Sequence, residues 1–281
     1  MSRPNNIVIE PHPLIDDPHQ IWEDYCSDGR TFETIEKLKS PTSPIKPNYV
    51  RFVCISDTHE KLDQLLPRIP DGDVLIHCGD FTNFGETEQI LKFNKELGTL
   101  PHKYKIVIAG NHEFGFEGNE DWVLRNSKFG GKGTDKGYLL LKNCIYLQDS
   151  SIYGIKIYGS PWHPKNGFSF YRKRGKEILT EWDQIPSDTD ILLTHTPPLG
   201  HGDSVNGIHT GCAELLNTVE HRVKPKYHIF GHIHENPGIS TNNQTIFINA
   251  ASVDRYRFMR NAPIVFDYPL PEGISKDQFQ F

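Results

Sequence analysis

The chain has 281 residues, with 36 acidic residues against 30 Lys and Arg, a formal charge of −6, and 36% hydrophobic residues. That is core material for one large α/β domain, and the acidic balance without any Lys/Arg run argues against tracking along a nucleic-acid backbone. The five cysteines are scattered and form no C-x-x-C pair, so they read as small buried hydrophobes in a reducing, cytoplasmic setting, not as disulfides or a zinc site.

Residues 1–48 are polar and punctuated by proline, as in "SPTSPIKPN", and predict a loop-rich N-terminal extension. They contain no signal-peptide apolar core, and no stretch of the chain approaches the ~20 apolar residues of a membrane span.

From Tyr49 five short apolar runs follow, each ending in polar residues: "RFVCIS" before "DTHE", "DVLIHC" before "GDFTN", "YKIVIA" before "GNHEF", "DILLT" before "HTPP", and "YHIF" before "GHIHE". Continuous apolarity over so few residues predicts strands buried on both faces. Between them "ETEQILKFNKELG" puts Ile90, Phe93 and Leu97 on one helical face, with Gly98 as a stop, and "CAELLNTVEHRV" does the same with Leu215, Leu216, Val219 and Val223. "IYGIKIYGSPW" predicts a hairpin, and "TIFINA" and "PIVFDY" are late strands. The expectation is a layered α/β domain over 49–281, in which extra hairpins favour two sheets flanked by helices.

Each of the five runs ends in Asp, Asn or His: Asp57 and His59, Asp80, Asn111 and His112, His195, His232 and His234. Side chains at i and i+2 of an extended segment share a side, so His232 and His234 reach one place. Strand C-termini are where α/β folds gather function. Imidazole nitrogen and carboxylate oxygen suit Mn²⁺, Fe or Zn. Two such ions ~3.5–4 Å apart clamp a displacement at phosphorus. A bridging carboxylate such as Asp80 suits that spacing, and Asn111 can ligate without adding negative charge.

The pattern "DTH…GD…GNHE…H…GHIH" resembles the calcineurin-like metallophosphoesterase superfamily, and "RFVCISDTH", "YKIVIAGNHE", "THTPPLG" and "INAASV" are similar to its metallophosphoesterase-domain-containing (fetal brain protein 239-like) branch. The resemblance covers roughly Tyr49 to the C-terminus. It implies an αββα fold, a two-sheet β-sandwich flanked by helices, and a dinuclear metal-dependent phosphodiesterase acting on small phosphodiesters, cyclic nucleotides first among them, through a metal-bridging hydroxide. Asp57, His59 and His234 would hold the first ion, Asp80 would bridge, and Asn111, His195 and His232 would hold the second, with Mn²⁺ the expected metal. His112 would act on the leaving group, with Glu113 as an orienting residue. A phosphomonoesterase on the same site and a non-catalytic scaffold are the alternatives.

Residues outside the pattern divide. His77, inside a strand run, reads as a packed core histidine, and Cys212 as a buried helix-start residue. Trp162, His163 and His201 are candidate substrate contacts, since an indole can stack on a base. Arg255 and Arg257 in "DRYRF" offer either a phosphate contact or surface charge, with surface charge the first reading.

Overall fold

The computed structural model describes residues 7–118, 120, 122–152 and 154–281, with the side chains of residues 122 and 124 excepted. Fourteen strands are named in chain order: β1 (Glu33–Ile35), β2 (Tyr49–Ile55), β3 (Val74–Cys78), β4 (Tyr104–Ile108), β5 (Ile145–Leu147), β6 (Ser150–Ile152), β7 (Ile157–Ser160), β8 (Ile191–Thr194), β9 (Ser204–Val205), β10 (Ile208–His209), β11 (Tyr227–Phe230), β12 (Gly238–Thr241), β13 (Ile246–Asn249) and β14 (Ile264–Pro269). Among the described residues six α-helices accompany them: α1 (Pro18–Ser27), α2 (Leu62–Leu65), α3 (Thr87–Gly98), α4 (Trp122–Phe129), α5 (Lys176–Trp182) and α6 (Ala213–Asn217).

Two large sheets form. One runs β14-β2-β3-β4-β5 and the other β1-β12-β13-β11-β8-β7-β6; β9 and β10 make a separate hairpin. In the first sheet β2, β3, β4 and β5 are parallel. In the second β7, β8, β11 and β13 are parallel. Strand alternation then sorts the side chains. Val50, Phe52 and Cys54 of β2 join Ile76, Ile106, Ile108, Ile191, Leu193 and Ile229 in one apolar cluster between the sheets. Val53 and Ile55 point the other way, into a cluster shared with Ile90, Phe93 and Leu97 of α3. Strands buried on both faces are therefore the middle layers of a helix–sheet–sheet–helix stack, the expected αββα arrangement.

α3 begins where Glu86 and Gln89 form a reciprocal capping box. Gly98, the expected stop, is its last residue and Thr99 its C-cap. The second expected helix is split: α6 gives way to a wide π-type turn over Thr218–Val223. The predicted hairpin is present as β6 and β7.

The N-terminal extension contributes more than loop. α1 is capped by the Asp17 side chain and buries Ile21 and Trp22. β1 adds an antiparallel edge to β12. Trp22 lies against Gly200, where a Cβ would come within 2.1 Å of the indole and the φ of +83° already favours glycine. The extension thus braces the long loop that follows His195. No helix of the described residues is long and apolar enough to cross a membrane.

Candidate metal centre and substrate cleft

All eight strand-end residues meet at one edge of the sandwich, where the C-terminal ends of β2, β3, β4, β8 and β11 converge. The loops that carry them leave the strands abruptly. Asp57, His59, Asp80 and His232 have φ of 53°, 42°, 54° and 69°. Left-handed backbone at non-glycine residues costs roughly 1–2 kcal/mol each, and its concentration here marks the edge as functional. Two glycines of the sequence pattern are present for space. A Cβ on Gly110 would come within 2.4 Å of Asp80 Oδ1 and 2.6 Å of the His195 ring, and one on Gly231 within 2.0 Å of Asp57 Oδ2.

Three sets of potential donor atoms lie within 4.8 Å of one another: Asp57, His59 and His234; His59, Asp80 and His112; Asp80, His195 and His232. Asp80 belongs to two of the sets and stands between them. His59 Nε2 is 3.8 Å from Asp80 Oδ2, and His195 Nε2 is 3.4 Å from Asp80 Oδ1. His234 Nε2 is 3.1 Å from Asp57 Oδ1, and His195 Nε2 is 3.0 Å from Asn111 Oδ1.

The ring tautomers decide what the cluster fits. His195 Nδ1 is 2.8 Å from the Cys78 carbonyl and His59 Nδ1 is 3.3 Å from the Thr82 carbonyl. A carbonyl only accepts, so each Nδ1 carries the proton and each Nε2 presents a lone pair to the cluster. There His59 Nε2 meets His234 Nε2 at 3.4 Å, and His195 Nε2 meets His232 Nδ1 at 3.2 Å. Facing lone pairs beside two carboxylates repel unless a proton or a cation lies among them. The donor set therefore fits divalent ions, with Asp57, His59 and His234 at one end, His195, His232 and Asn111 at the other, and Asp80 in common. Without them the cluster satisfies itself by proton sharing. Despite burial, the Asp80 and Asp57 carboxylates hold His195 up at about 9, while burial opposed by the neighbouring imidazoles leaves Asp57 and Asp80 below the usual carboxylate range.

Glu113 ties the loops together. Its Oε2 accepts from the Asp80 and Gly110 backbone N–H groups at 2.8 and 2.6 Å, and its Oε1 accepts from Thr82 N and Thr82 Oγ1, both at 2.9 Å. It is wholly buried and touches no donor atom of the sets. Burial and the Asp80 charge push its carboxyl up to about 7 against those four donors.

His112 Nδ1 is 2.7 Å from the Asn83 carbonyl, which leaves Nε2 facing the cleft, 4.0 Å from Asp80 Oδ2 and 3.4 Å from Arg257 Nη2. A guanidinium is donor only, so Nε2 accepts. Burial first, and the Arg257 charge in part, hold the ring below the usual histidine range. The cleft above the cluster has a volume of about 540 Å³ and includes Lys165, Arg174, Arg255 and Arg257 among its walls. Arg257 is exposed, as its surface-charge reading implies, yet it reaches the site. Glu113 is expected as an orienting residue only through the family resemblance, and the Arg257–His112 contact has no signal in local sequence, because both arise from contacts between distant loops.

The remaining candidates sit elsewhere. His77 is buried, with Nε2 at 2.9 Å from Thr58 Oγ1 and Nδ1 accepting from Gly79 N, and burial pushes it down to about 3. Cys212 is buried at the start of α6. Trp162 Nε1 donates to Asp149, and the Arg172 guanidinium lies 3.9 Å above the indole. His163 uses both ring nitrogens internally and stacks on His232 with centroids 5.7 Å apart, bracing that ring. His201 stacks on Phe247 at 3.7 Å and pairs with Ser240 Oγ, beneath the N-terminal extension. All three are buried, outside the residues that wall the cleft.

A sandwich of mixed sheets with a buried Asp/His/Asn cluster at its strand ends is the framework of a metallophosphoesterase. Residues 50–236 match the family model for calcineurin-like phosphoesterases, and the chain belongs to that family. Among curated relatives, the UPF0046 protein C25E10.12 of Caenorhabditis elegans is 55% identical over 97% of this chain and 99% of its own length. Metallophosphoesterase domain-containing protein 1 of Homo sapiens is 42% identical over 96% of this chain and 87% of its own.

Proposed function

We propose that the chain is a dinuclear metal-dependent phosphodiesterase of small phosphodiesters, with cyclic nucleotides the first substrates to test. The observation that carries this reading is the doubled donor cluster joined through Asp80 and open to a cleft with cationic walls. Asp57, His59 and His234 would hold one ion, Asn111, His195 and His232 the other, and Asp80 both. Mn²⁺ suits this set, as do Fe and Zn. When bound, such a pair supplies Lewis acidity at the phosphoryl group and acidifies water for attack on phosphorus.

The protein's own groups supply the rest. Arg257 and Arg255 attract the phosphate and balance its charge. The Asn83 carbonyl fixes the His112 tautomer so that Nε2 meets the substrate. A phosphoryl group docked at Arg257 adds negative charge beside that ring and favours its protonated form. Protonated Nε2 can then give its proton to the departing oxygen. Glu113 keeps the Asp80 and Asn111 loops in register without joining the chemistry.

A phosphomonoesterase is the second reading, favoured by the number of cations around the cleft, which would suit a dianion. A scaffold without catalysis is opposed by the full donor set. We take 49–281 as the catalytic domain and 1–48 as its brace, and the free cysteines support a cytoplasmic setting. The test is hydrolysis of bis(p-nitrophenyl) phosphate and p-nitrophenyl phosphate by metal-stripped protein resupplied with Mn²⁺, with His232→Ala as control. Preference for the diester, lost in the variant, is the expected result. Preference for the monoester selects the second reading, and no turnover of either by metal-loaded protein rejects both.

A further inference from the structure

The loop 254–261 between β13 and β14 lies beyond residues 50–236 that match the family model. It is built as a rigid turn. Asp254 Oδ1 accepts from the backbone N–H groups of Tyr256 and Phe258, each at 2.9 Å. Arg257 N donates to the Asp254 carbonyl at 2.8 Å, Asp254 N to the Phe258 carbonyl at 2.9 Å, and Arg260 pairs with Asp254 Oδ2 at 3.0 Å. Because the turn is fixed, neighbouring side chains go to different places. Arg257, at φ 61°, reaches His112. Tyr256 instead lines a second groove of about 510 Å³, together with Arg255, Asn206 and Gly207.

That groove opens onto the metal-centre cleft: His234, Glu235 and Arg255 line both. Tyr256 is 64% exposed. Its hydroxyl accepts a hydrogen bond from Arg255 Nη2, and that guanidinium carbon lies 4.7 Å from the ring centre. An exposed aromatic face, steadied by a cation on a rigid turn beside a phosphate-binding cleft, matches how planar groups of nucleotides are held: stacking on the ring with the charge close by.

We propose that this groove is a second substrate subsite that takes a planar ester group, such as a nucleobase-bearing one, of an open-chain phosphodiester. A cyclic ester would use the metal-centre cleft alone, whereas a diester with two separate organic groups uses cleft and groove together. The proposal rests on the phosphodiesterase reading of the cleft, and its test separates the two.

Full-length protein loaded with Mn²⁺ is compared with Tyr256→Ala and Tyr256→Phe on a dinucleoside monophosphate and on a 3′,5′-cyclic nucleotide, by kinetics and by calorimetric binding. Base–aromatic stacking predicts a loss of about fivefold to twentyfold in affinity and kcat/KM for the dinucleoside monophosphate in Tyr256→Ala. Tyr256→Phe retains most of both, and the cyclic ester, whose proposed place is the cleft alone, changes by less than about twofold. Equal losses on both substrates, or no loss on the dinucleoside monophosphate, overturn the subsite. If the wild type turns over neither, the phosphodiesterase reading falls and calorimetry alone decides the subsite. Tighter binding of the dinucleoside monophosphate to wild type than to Tyr256→Ala then supports it, and equal or absent binding overturns it.

Discussion

The floor and the rim of the cleft are built in opposite ways. On the floor, Asp57, His59, Asp80, Asn111 and His195 are buried, and most are fixed by hydrogen bonds from backbone or a second side chain. On the rim, Lys165, Arg255 and Arg257 are exposed and belong to loops. The floor needs burial because metal-donor geometry tolerates little movement and a low dielectric strengthens every charge. The rim needs exposure because it must meet a substrate arriving from water. Changes to the floor should therefore abolish chemistry, and changes to the rim should adjust binding.

The largest effect is expected at Asp80. Asp80→Ala removes the carboxylate common to both donor sets, and we expect loss of bound metal with a fall in turnover of at least about 1000-fold. Elemental analysis showing two ions retained would break the assignment of Asp80 as the bridge. His112→Gln comes next: turnover should drop roughly 100- to 1000-fold while metal content stays near wild type. Joint loss of metal and activity there would move His112 into the donor set, a role its place within 4.8 Å of His59 and Asp80 would allow.

Glu113→Gln keeps shape but puts an amide where four donors converge, so a donor faces donors. About 2–3 kcal/mol of stability should be lost, read as a lower urea midpoint of the metal-free protein. An unchanged midpoint would show that the loops hold without the clamp. On the rim, Arg257→Lys replaces the guanidinium fork by a single point charge, and KM should rise about tenfold with little change in kcat. A fall in kcat alone would place Arg257 with the floor.

Acid should weaken the metal-free protein modestly. Burial pushes His59, His77, His163 and His201 down to about 3, against about 6.5 in an unfolded chain. Between those values the unfolded state binds more protons, so stability falls as pH drops through the window. His195 and His234, raised beside their carboxylates, and Glu113, pushed up by burial to about 7, act in the other direction, but they are fewer. The urea midpoint should be lower at pH 5 than at pH 7.5; a higher one would give the balance to the carboxylate-paired rings.

Much of the floor is legible from residue spacing. The five apolar runs appear as β2, β3, β4, β8 and β11, and each carries its Asp, Asn or His residues to one edge. Helix ends were less legible. α3 ends at Gly98, where the glycine predicts a stop, but α6 ends in a π-type turn, because packing settles such a boundary rather than periodicity. The extension before Tyr49 shows only proline-rich polarity, yet Trp22 packs on Gly200 and β1 completes a sheet edge. Such docking depends on a partner surface some 180 residues away, which no local pattern encodes.

The amino-acid sequence by itself determined the layered α/β class, the family resemblance, and the identity of the groups at the strand ends. These are local properties: a buried strand needs continuous apolarity, and i, i+2 spacing sends two side chains to one side. Tertiary structure alone decided which backbone groups Glu113 clamps and that His163 and His201 are packed away from the cleft. It also brought Arg257 to His112, 145 positions earlier in the chain. Those outcomes depend on where two sheets and the loops between them close in space, and chain closure, unlike periodicity, leaves no mark on neighbouring residues.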